Sequence, residues 1–250
     1  MAKRSKQSLG IIGAGAFGSL MAKHLAPHFA LVICDSAAAK AKSLAKKTGS
    51  RAGNLKDAAG CDIVVLSVPV QKMESAIRDV APLLKHGALV LDVGSVKIKP
   101  AALMRKLLPE HADIVGTHPL FGPQTGKNGI KGLNVVVADI RGGRGACVAK
   151  FLAKKLKLTV HPASPEEHDR ELAYVQGLTH LLMKVVVSLD LPKFRFTTRT
   201  YEYLEQMVEM IRYDSEELFR AIERENPFSK EAKQRFFAAA RKLEDELMRG

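Results

Sequence analysis

The feature that most restricts this chain is a glycine-spaced turn. The apolar run Leu9–Ile12 enters Gly13-Ala-Gly15-Ala-Phe17-Gly18, and a helical pattern follows to about Pro27. Each glycine has a separate physical task. Gly13 permits the tight turn, Gly15 lets backbone approach a pyrophosphate, and Gly18 lets the helix pack closely on the strand. The helix N-terminus offers unpaired N–H groups to the phosphates. Asp35 lies 22 residues after Gly13 and closes a second apolar run, Leu31–Cys34. A strand, this turn, a helix and then an acid together predict a dinucleotide site, where three glycines alone would indicate only a turn. Asp35 is expected to accept hydrogen bonds from ribose hydroxyls and to repel a 2′-phosphate, which favours NAD over NADP. Lys40 and Lys42 are close enough to soften that preference. A solvated Asp in the turn is the simpler alternative.

The rest of the first 162 residues alternates short apolar runs with Ala/Lys-rich helical stretches. Strands are expected at Leu9–Ile12, Leu31–Cys34, Ile63–Ser67, Ala88–Val93, Ile114–Gly116 and Asn134–Ala138. Helices are expected at Ser36–Lys47, Gln71–Leu84, Pro100–Leu108 and Gly145–Leu156. This alternation predicts an α/β fold of Rossmann type, a parallel sheet covered on both faces. From residue 163 to 250 the only glycine before the last residue is Gly177, and about four helices are expected. The boundary falls at Pro162–Pro165, where Ser164 and Glu167 have capping-box spacing. The predicted domains are therefore 1–162, nucleotide-binding, and 163–250, a smaller all-helical domain for substrate and dimerisation.

Composition narrows the function classes. The chain is 46% hydrophobic and 26% charged, as ordinary globular proteins are. No apolar run reaches the roughly 18 residues that a membrane span needs. The first eight residues are basic and lack an apolar core, so a signal peptide is not expected. Cys34, Cys61 and Cys147 are widely spaced and form no CxxC motif, which argues against a disulfide scaffold or metal site and for a reducing, cytoplasmic compartment. The net charge of +13 raises the question of nucleic acid. Residues 1–162 hold 25 Lys and Arg against 9 Asp and Glu, a net +16, and residues 163–250 hold 14 against 17, a net −3. No helix-turn-helix, zinc motif or aromatic-interleaved basic strand accompanies the basic excess, so no nucleic-acid partner is expected.

Ligands of open parallel sheets bind at the carboxyl ends of the strands. Ser67-Val-Pro69 ends one strand, where the loop is expected to cross the cofactor. Asp92-Val-Gly94-Ser95-Val-Lys97 ends the next, which puts Ser95 and Lys97 near the nicotinamide. His118, in Gly116-Thr-His118-Pro-Leu-Phe-Gly122-Pro123, closes a third strand ahead of a stiff loop. Histidine is the side chain suited to proton transfer near neutrality.

These segments resemble the prephenate/arogenate dehydrogenase family. The resemblance rests on GAGAFG (13–18), DVGSVK (92–97), THPLFGPQTGKNG (117–129), EEHDRELAYVQGLTHLL (166–182) and TTRTYEYLEQMVEMIRYDSEELF (197–219). They occur in order over about residues 9 to 220, and the last two are most similar to the plant-type arogenate dehydrogenase branch. The resemblance implies an oxidative decarboxylation in tyrosine biosynthesis. Hydride leaves the ring carbon bearing the 4-hydroxyl for NAD(P), the ring carboxylate leaves as CO₂, and the ring becomes aromatic. His118 corresponds to the family's catalytic base and Ser95 to the serine that hydrogen-bonds the same hydroxyl. By the same resemblance His180 lies on the substrate side. Arg199 is the candidate clamp for a substrate carboxylate, with Arg195 as its competitor. Asp214 would pair with the α-ammonium of arogenate, where a neutral residue goes with prephenate. Asp214 also has the spacing of a helix N-cap, with Glu217 three residues on. Gln124 stands where the family often has an acid, so a gating ion pair is not expected. The site predicted for the cofactor is Gly13, Gly15, Phe17, Gly18, Asp35, Ser67, Pro69 and Ser95, with no metal.

Two helical stripes are apolar, Leu178, Leu181, Leu182, Val185 and Val186, and Leu204, Met207, Val208 and Ile211. About 85 residues of helix make a marginal core alone, so a homodimer through this domain is expected. The rival readings are a β-hydroxyacid dehydrogenase, whose glycine pattern is missing around Lys184, and a non-enzymatic NAD-sensing or nucleic-acid-binding protein.

Overall fold

The computed structural model describes residues 6–249. The chain forms two compact units, Met1–Glu166 and Glu167–Gly250.

The first unit is built on strands β1 (Ser8–Ile12), β2 (Ala30–Cys34), β3 (Arg51–Ala52), β4 (Ile63–Leu66), β5 (Leu89–Asp92), β6 (Asp113–Pro119), β7 (Asn134–Arg141) and β8 (Thr159–Pro162). They form one sheet in the order β3-β2-β1-β4-β5-β6-β7-β8. Helices α1 (Ala16–Leu25), α2 (Ala38–Thr48) and α6 (Gly145–Lys155) cover one face. Helices α3 (Leu55–Ala59), α4 (Met73–Val80) and α5 (Ile98–Leu107) cover the other. Strand periodicity sorts the core between them. Leu9, Ile11, Ile63 and Val65 pack with α1 and α2, whereas Ile12, Val64 and Leu66 pack with α3 and α4. Because both faces are buried, the central strands read as continuous apolar runs. Neighbours β1 and β4 are joined through β2 and β3, so the chain reverses its direction of progress between them. That is the switch point where such sheets open a crevice.

Several elements depart from the sequence expectation. The sheet is not wholly parallel: β7 runs antiparallel to β6, and β8 parallel to β7. The Gly- and Lys-rich segment 122–132 returns the chain beside β6 without a crossover helix, which sequence periodicity does not register. Strand β6 extends to Pro119, so His118 lies within the strand and pairs with Val136 of β7. Strand β3 and helix α3 were not expected, because both are shorter than a periodic pattern can reveal. A local signal for α3 does exist. Asn54 accepts from the Asp57 N–H at 2.9 Å and Asp57 accepts from the Asn54 N–H at 3.1 Å, a complete capping box.

In the second unit α7 (Pro165–Leu172) runs through a π-helical turn, Ala173–Leu178, into α8 (Thr179–Ser188). After α9 (Arg199–Ile211), α10 (Glu216–Arg220) continues into a second π turn, Ala221–Glu225, and α11 (Ser229–Met248) follows. A π turn widens the helix and frees carbonyls that need donors. Ser229 Oγ donates to the Ile222 carbonyl at 2.8 Å, and Lys233 Nζ to the Glu223 carbonyl at 2.6 Å. His168 and Asp169 are buried side by side, and Asn226 Nδ2 donates to the Asp169 carbonyl at 2.7 Å. Much apolar surface of this unit stays exposed, including Val175, Leu182, Val185, Tyr203 and Met210.

A polar clasp ties the starts of β1 and β4. Asp62 accepts from the Ser8 N–H at 3.0 Å and the Ser8 hydroxyl at 2.6 Å, and pairs with Lys85 at 2.5 Å. The Lys85 bond first, then the Ser8 bonds, hold its carboxyl at about 2, below the ordinary 3.8. A carboxyl depressed on folding contributes stability that is complete above pH 3.8 and is lost as pH falls toward 2. Asp62→Asn is therefore expected to lower Tm at pH 7 by about 2 °C, a small value because the pair is partly solvated. The difference from wild type should vanish near pH 2. Thermal melts across that range check it, and a difference independent of pH would contradict it.

Candidate active site

The glycine turn is shaped by contacts that leave no room for side chains. Gly13 has φ of +107°, and a Cβ there would run into the Ser67 carbonyl of the β4 end. A Cβ on Gly18 would run into the Gly13 carbonyl. A Cβ on Gly15 would meet nothing within 4 Å, so the backbone here borders open space. Gly15 is the N-cap of helix α1 and offers no side-chain cap, and the first turn of the helix carries no acid. Its first N–H groups and the dipole are thus directed at whatever anion occupies that space. Asp35 sits against this turn, accepting from the Ala14 N–H at 2.7 Å and the Ala37 N–H at 2.8 Å. Gly13 N–H donates to the Cys34 carbonyl and Ser67 N–H to the Ile12 carbonyl, so β1, β2 and β4 end on one line. Pro69 is exposed and opens a single 3-10 turn, Val70–Lys72. Phe17, the first turn of α1, lies 6.5 Å between ring centroids from Phe121 of the His-Pro loop. The predicted cofactor residues thus share the carboxyl edge of the sheet, and their glycine cradle fits a pyrophosphate.

The ends of β5 and β6 form the second part. Register pairs Asp92 with Gly116, so Ser95 and His118 follow on adjacent strand ends. His118 is 5% exposed and Ser95 8%. Ser95 Oγ is a buried hydroxyl with no hydrogen-bond partner among the described residues. Buried polar atoms are nearly always paired, and an exception at a strand end is where a ligand atom would belong. Lys97, expected at this strand end, has a wholly buried side chain that is paired with Asp92 and donates to the Thr117 carbonyl at 2.7 Å. Asp92 and Thr117 were not foreseen as site residues. For Asp92 the sequence signal is an acid and a lysine five positions apart in a run otherwise fit for burial, whereas Thr117 has no signal beyond its place next to His118.

The helical unit brings two predicted residues together. His180 Nε2 lies 3.1 Å from Asp214 Oδ2, and Nδ1 lies 2.9 Å from the Gln176 carbonyl. Both ring nitrogens face acceptors, and both contacts are made only when both carry hydrogen. Helix position explains the Gln176 contact, since residues four apart share a face. The N-cap alternative for Asp214 is not observed. Ser215 caps α10, accepting from the Leu218 N–H at 3.2 Å. Arg199 is 72% exposed and engaged within its own helix, donating to Glu202 at 2.9 Å and lying over the Tyr203 ring. Arg195 is likewise exposed, over Phe196. Among the described residues, the ion pair and ring contacts of these arginines are with sequence neighbours, Glu202 and Tyr203 for Arg199 and Phe196 for Arg195. Among the described residues no group of three or more His, Cys, Asp or Glu could hold a metal ion, and no helix is long and apolar enough to cross a membrane.

Residues 28–135 match the family described as "Prephenate dehydrogenase, nucleotide-binding domain". Arogenate dehydrogenase 2, chloroplastic, of Arabidopsis thaliana is 31% identical over 98% of this chain and 71% of its own length. The chain belongs to the prephenate/arogenate dehydrogenase family. A probable arogenate/prephenate dehydrogenase of Methanocaldococcus jannaschii is 27% identical over 97% of this chain and 57% of its own length. Among solved structures, prephenate dehydrogenase from Aquifex aeolicus, in complex with hydroxyphenyl propionate and NAD+, superposes with a TM-score of 0.78. That match is 20% identical and covers 98% of this chain and 92% of the other, which shows the shared fold. The family match includes Asp35, Ser67, Ser95 and His118, whereas the glycine turn lies before residue 28.

The first two glycines of the turn predict opposite responses. Gly13→Ala must strain φ and displace the Ser67 carbonyl, a loss of about 2 kcal/mol. Gly15→Ala enters open space at φ of −67° and should melt like wild type. Comparable losses of Tm in the two variants would contradict this account of the turn.

Proposed function

We propose that this member of the NAD(P)-dependent prephenate/arogenate dehydrogenases prefers arogenate as substrate and NAD as cofactor. The cofactor, when bound, accepts the hydride that leaves the ring carbon. The chain's own residues do the rest. The unpartnered Ser95 hydroxyl is the observation that carries the reaction assigned to this site, because it offers a partner for the substrate hydroxyl on the strand end next to that of the buried His118, whereas the two preferences rest on Asp214 and Asp35. His118 takes the hydroxyl proton as the bond to hydride breaks, a task suited to an imidazole. Loss of CO₂ and aromatisation supply driving force, so orientation and one proton acceptor suffice. Asp35 supports NAD, since its carboxylate beside the glycine turn would repel a 2′-phosphate.

Asp214 supports arogenate. Released from capping α10, its carboxylate is held by His180 and is available to an ammonium group, while a second carboxylate would be repelled. His180 orients Asp214 in this reading. Arg199 remains our candidate for a substrate carboxylate, because a guanidinium suits bidentate recognition and its partner Glu202 is a solvated one. The exposed Leu182 and Val185 on α8, and Met207 and Met210 on α9, support a homodimer in which a second copy covers them. A monomeric mass at micromolar concentration would overturn the dimer. The free cysteines fit a reducing compartment, and we propose the cytoplasm. The chloroplastic label in the Arabidopsis names belongs to those proteins.

Initial rates with arogenate and prephenate, each with NAD and NADP, test the assignment. Wild type should favour arogenate with NAD, and Asp214→Asn should shift the preference toward prephenate. Equal use of both substrates, unchanged in the variant, would sink the role of Asp214. His118→Asn should lower kcat by roughly 10²–10⁴ with cofactor affinity nearly intact. A fully active His118 variant would remove it as the base.

A further inference from the structure

We propose that the buried Asp92–Lys97 ion pair is a positioning device that sets Ser95 against His118. The inference rests on the reading above that those two residues meet the substrate hydroxyl. Lys97 and Asp92 both have fully buried side chains. A buried ion pair is a poor stabiliser, because desolvation offsets most of the attraction and an apolar pair of equal volume does as well or better. Stability therefore does not account for it. Its connections do.

Two contacts close the 92–97 segment on itself, and two more tie it to the end of β6. Asp92 Oδ2 accepts from the Gly94 N–H at 2.9 Å, which turns the chain immediately after β5. The same carboxylate holds the Lys97 ammonium, so residues 92–97 form a loop clamped at both ends with Ser95 inside it. Lys97 Nζ also donates to the Thr117 carbonyl at 2.7 Å, the peptide that carries His118. Thr117 Oγ1 returns a bond to the Asp92 carbonyl at 2.7 Å. The serine loop and the histidine strand are thereby fixed through one ammonium.

Two glycines are cut to fit the device. A Cβ on Gly94 would lie 3.2 Å from Asp92 Oδ2. A Cβ on Gly116 would lie 3.3 Å from both Asp92 Oδ1 and Lys97 Cδ. Asp92, Gly94 and Lys97 of one segment and Gly116 and Thr117 of another thus serve one arrangement. Lys97 touches no reacting atom in this scheme and acts through its two neighbours. The geometry it holds matters because a displacement of about 1 Å can lower a rate about 10²-fold.

The test is the near-isosteric double substitution Asp92→Asn/Lys97→Met in the full chain, which removes both charges together. Tm should stay within a few degrees of wild type. At saturating substrate and cofactor, kcat should fall about 10²-fold while both KM values change by less than about threefold. A folded double variant with wild-type kcat overturns the proposal, and so does one whose loss lies wholly in KM. Should the double variant not fold, Thr117→Val removes only the Oγ1 link and should show the same kcat-selective loss, about tenfold. Unchanged kcat there overturns the proposal equally. His118→Asn is measured alongside. If it is inactive and the pair variants are fully active, only the positioning role fails. If it too is active, the reading of His118 has failed first.

Discussion

A parallel strand buried on both faces can carry polar side chains only where it ends. That constraint arranges the first unit. Strands β1, β4 and β5 are apolar between their ends, and their polar side chains sit at the termini or in the residues that follow: Ser8 at the start of β1, then the glycine turn, Ser67, and the Asp92–Lys97 loop that begins on the last residue of β5. Because these strands are parallel, all three follow-on segments lie on the same edge. The reversal between β1 and β4 opens that edge, so the place where chemistry can occur is set by strand order before any particular side chain is considered.

The same edge shows how backbone contact and charge divide the work. Around Gly13 the fit is steric, carbonyl against α-carbon, and admits no side chain. Around Asp92 it is electrostatic, with one buried ammonium shared between a carboxylate and a main-chain carbonyl. Outside these contacts the basic excess lies mainly on outer helices such as α2 and α6. There it needs only solvation, and its field favours an anionic cofactor and a dicarboxylate substrate. The helical unit uses another device. Its two π turns free carbonyls, and buried Ser229, Asn226 and partly buried Lys233 satisfy carbonyls around them and brace the helices with polar bonds instead of a large apolar core.

Much of this was legible in the chain itself. The glycine spacing, the acid after β2 and the alternation of apolar runs identify the nucleotide-binding sheet, because each reflects a local steric or periodic demand. Ser95 and His118 were picked out by the same logic, as polar residues at strand ends, and the structure puts both at the carboxyl ends of neighbouring strands. The antiparallel β7 was not found, because strand direction depends on where a connection returns and not on periodicity. Nor was α3, which is a single capped turn. The alternatives for Asp214 could not be separated in sequence, since Asp214 and Ser215 are both good caps at adjacent positions. Backbone geometry chose Ser215 and released Asp214 to His180.

Sequence by itself therefore determined the fold class, the location of the nucleotide-binding turn and the family, since these follow from local periodicity and residue order. Tertiary structure alone decided which polar residues meet. It turned Lys97 inward to Asp92 and Thr117, joined His180 to Asp214 across 34 positions, and left Arg199 in solvent with Glu202. Long-range pairing of polar groups depends on burial and distance, and neither is encoded in the spacing of residues along a chain.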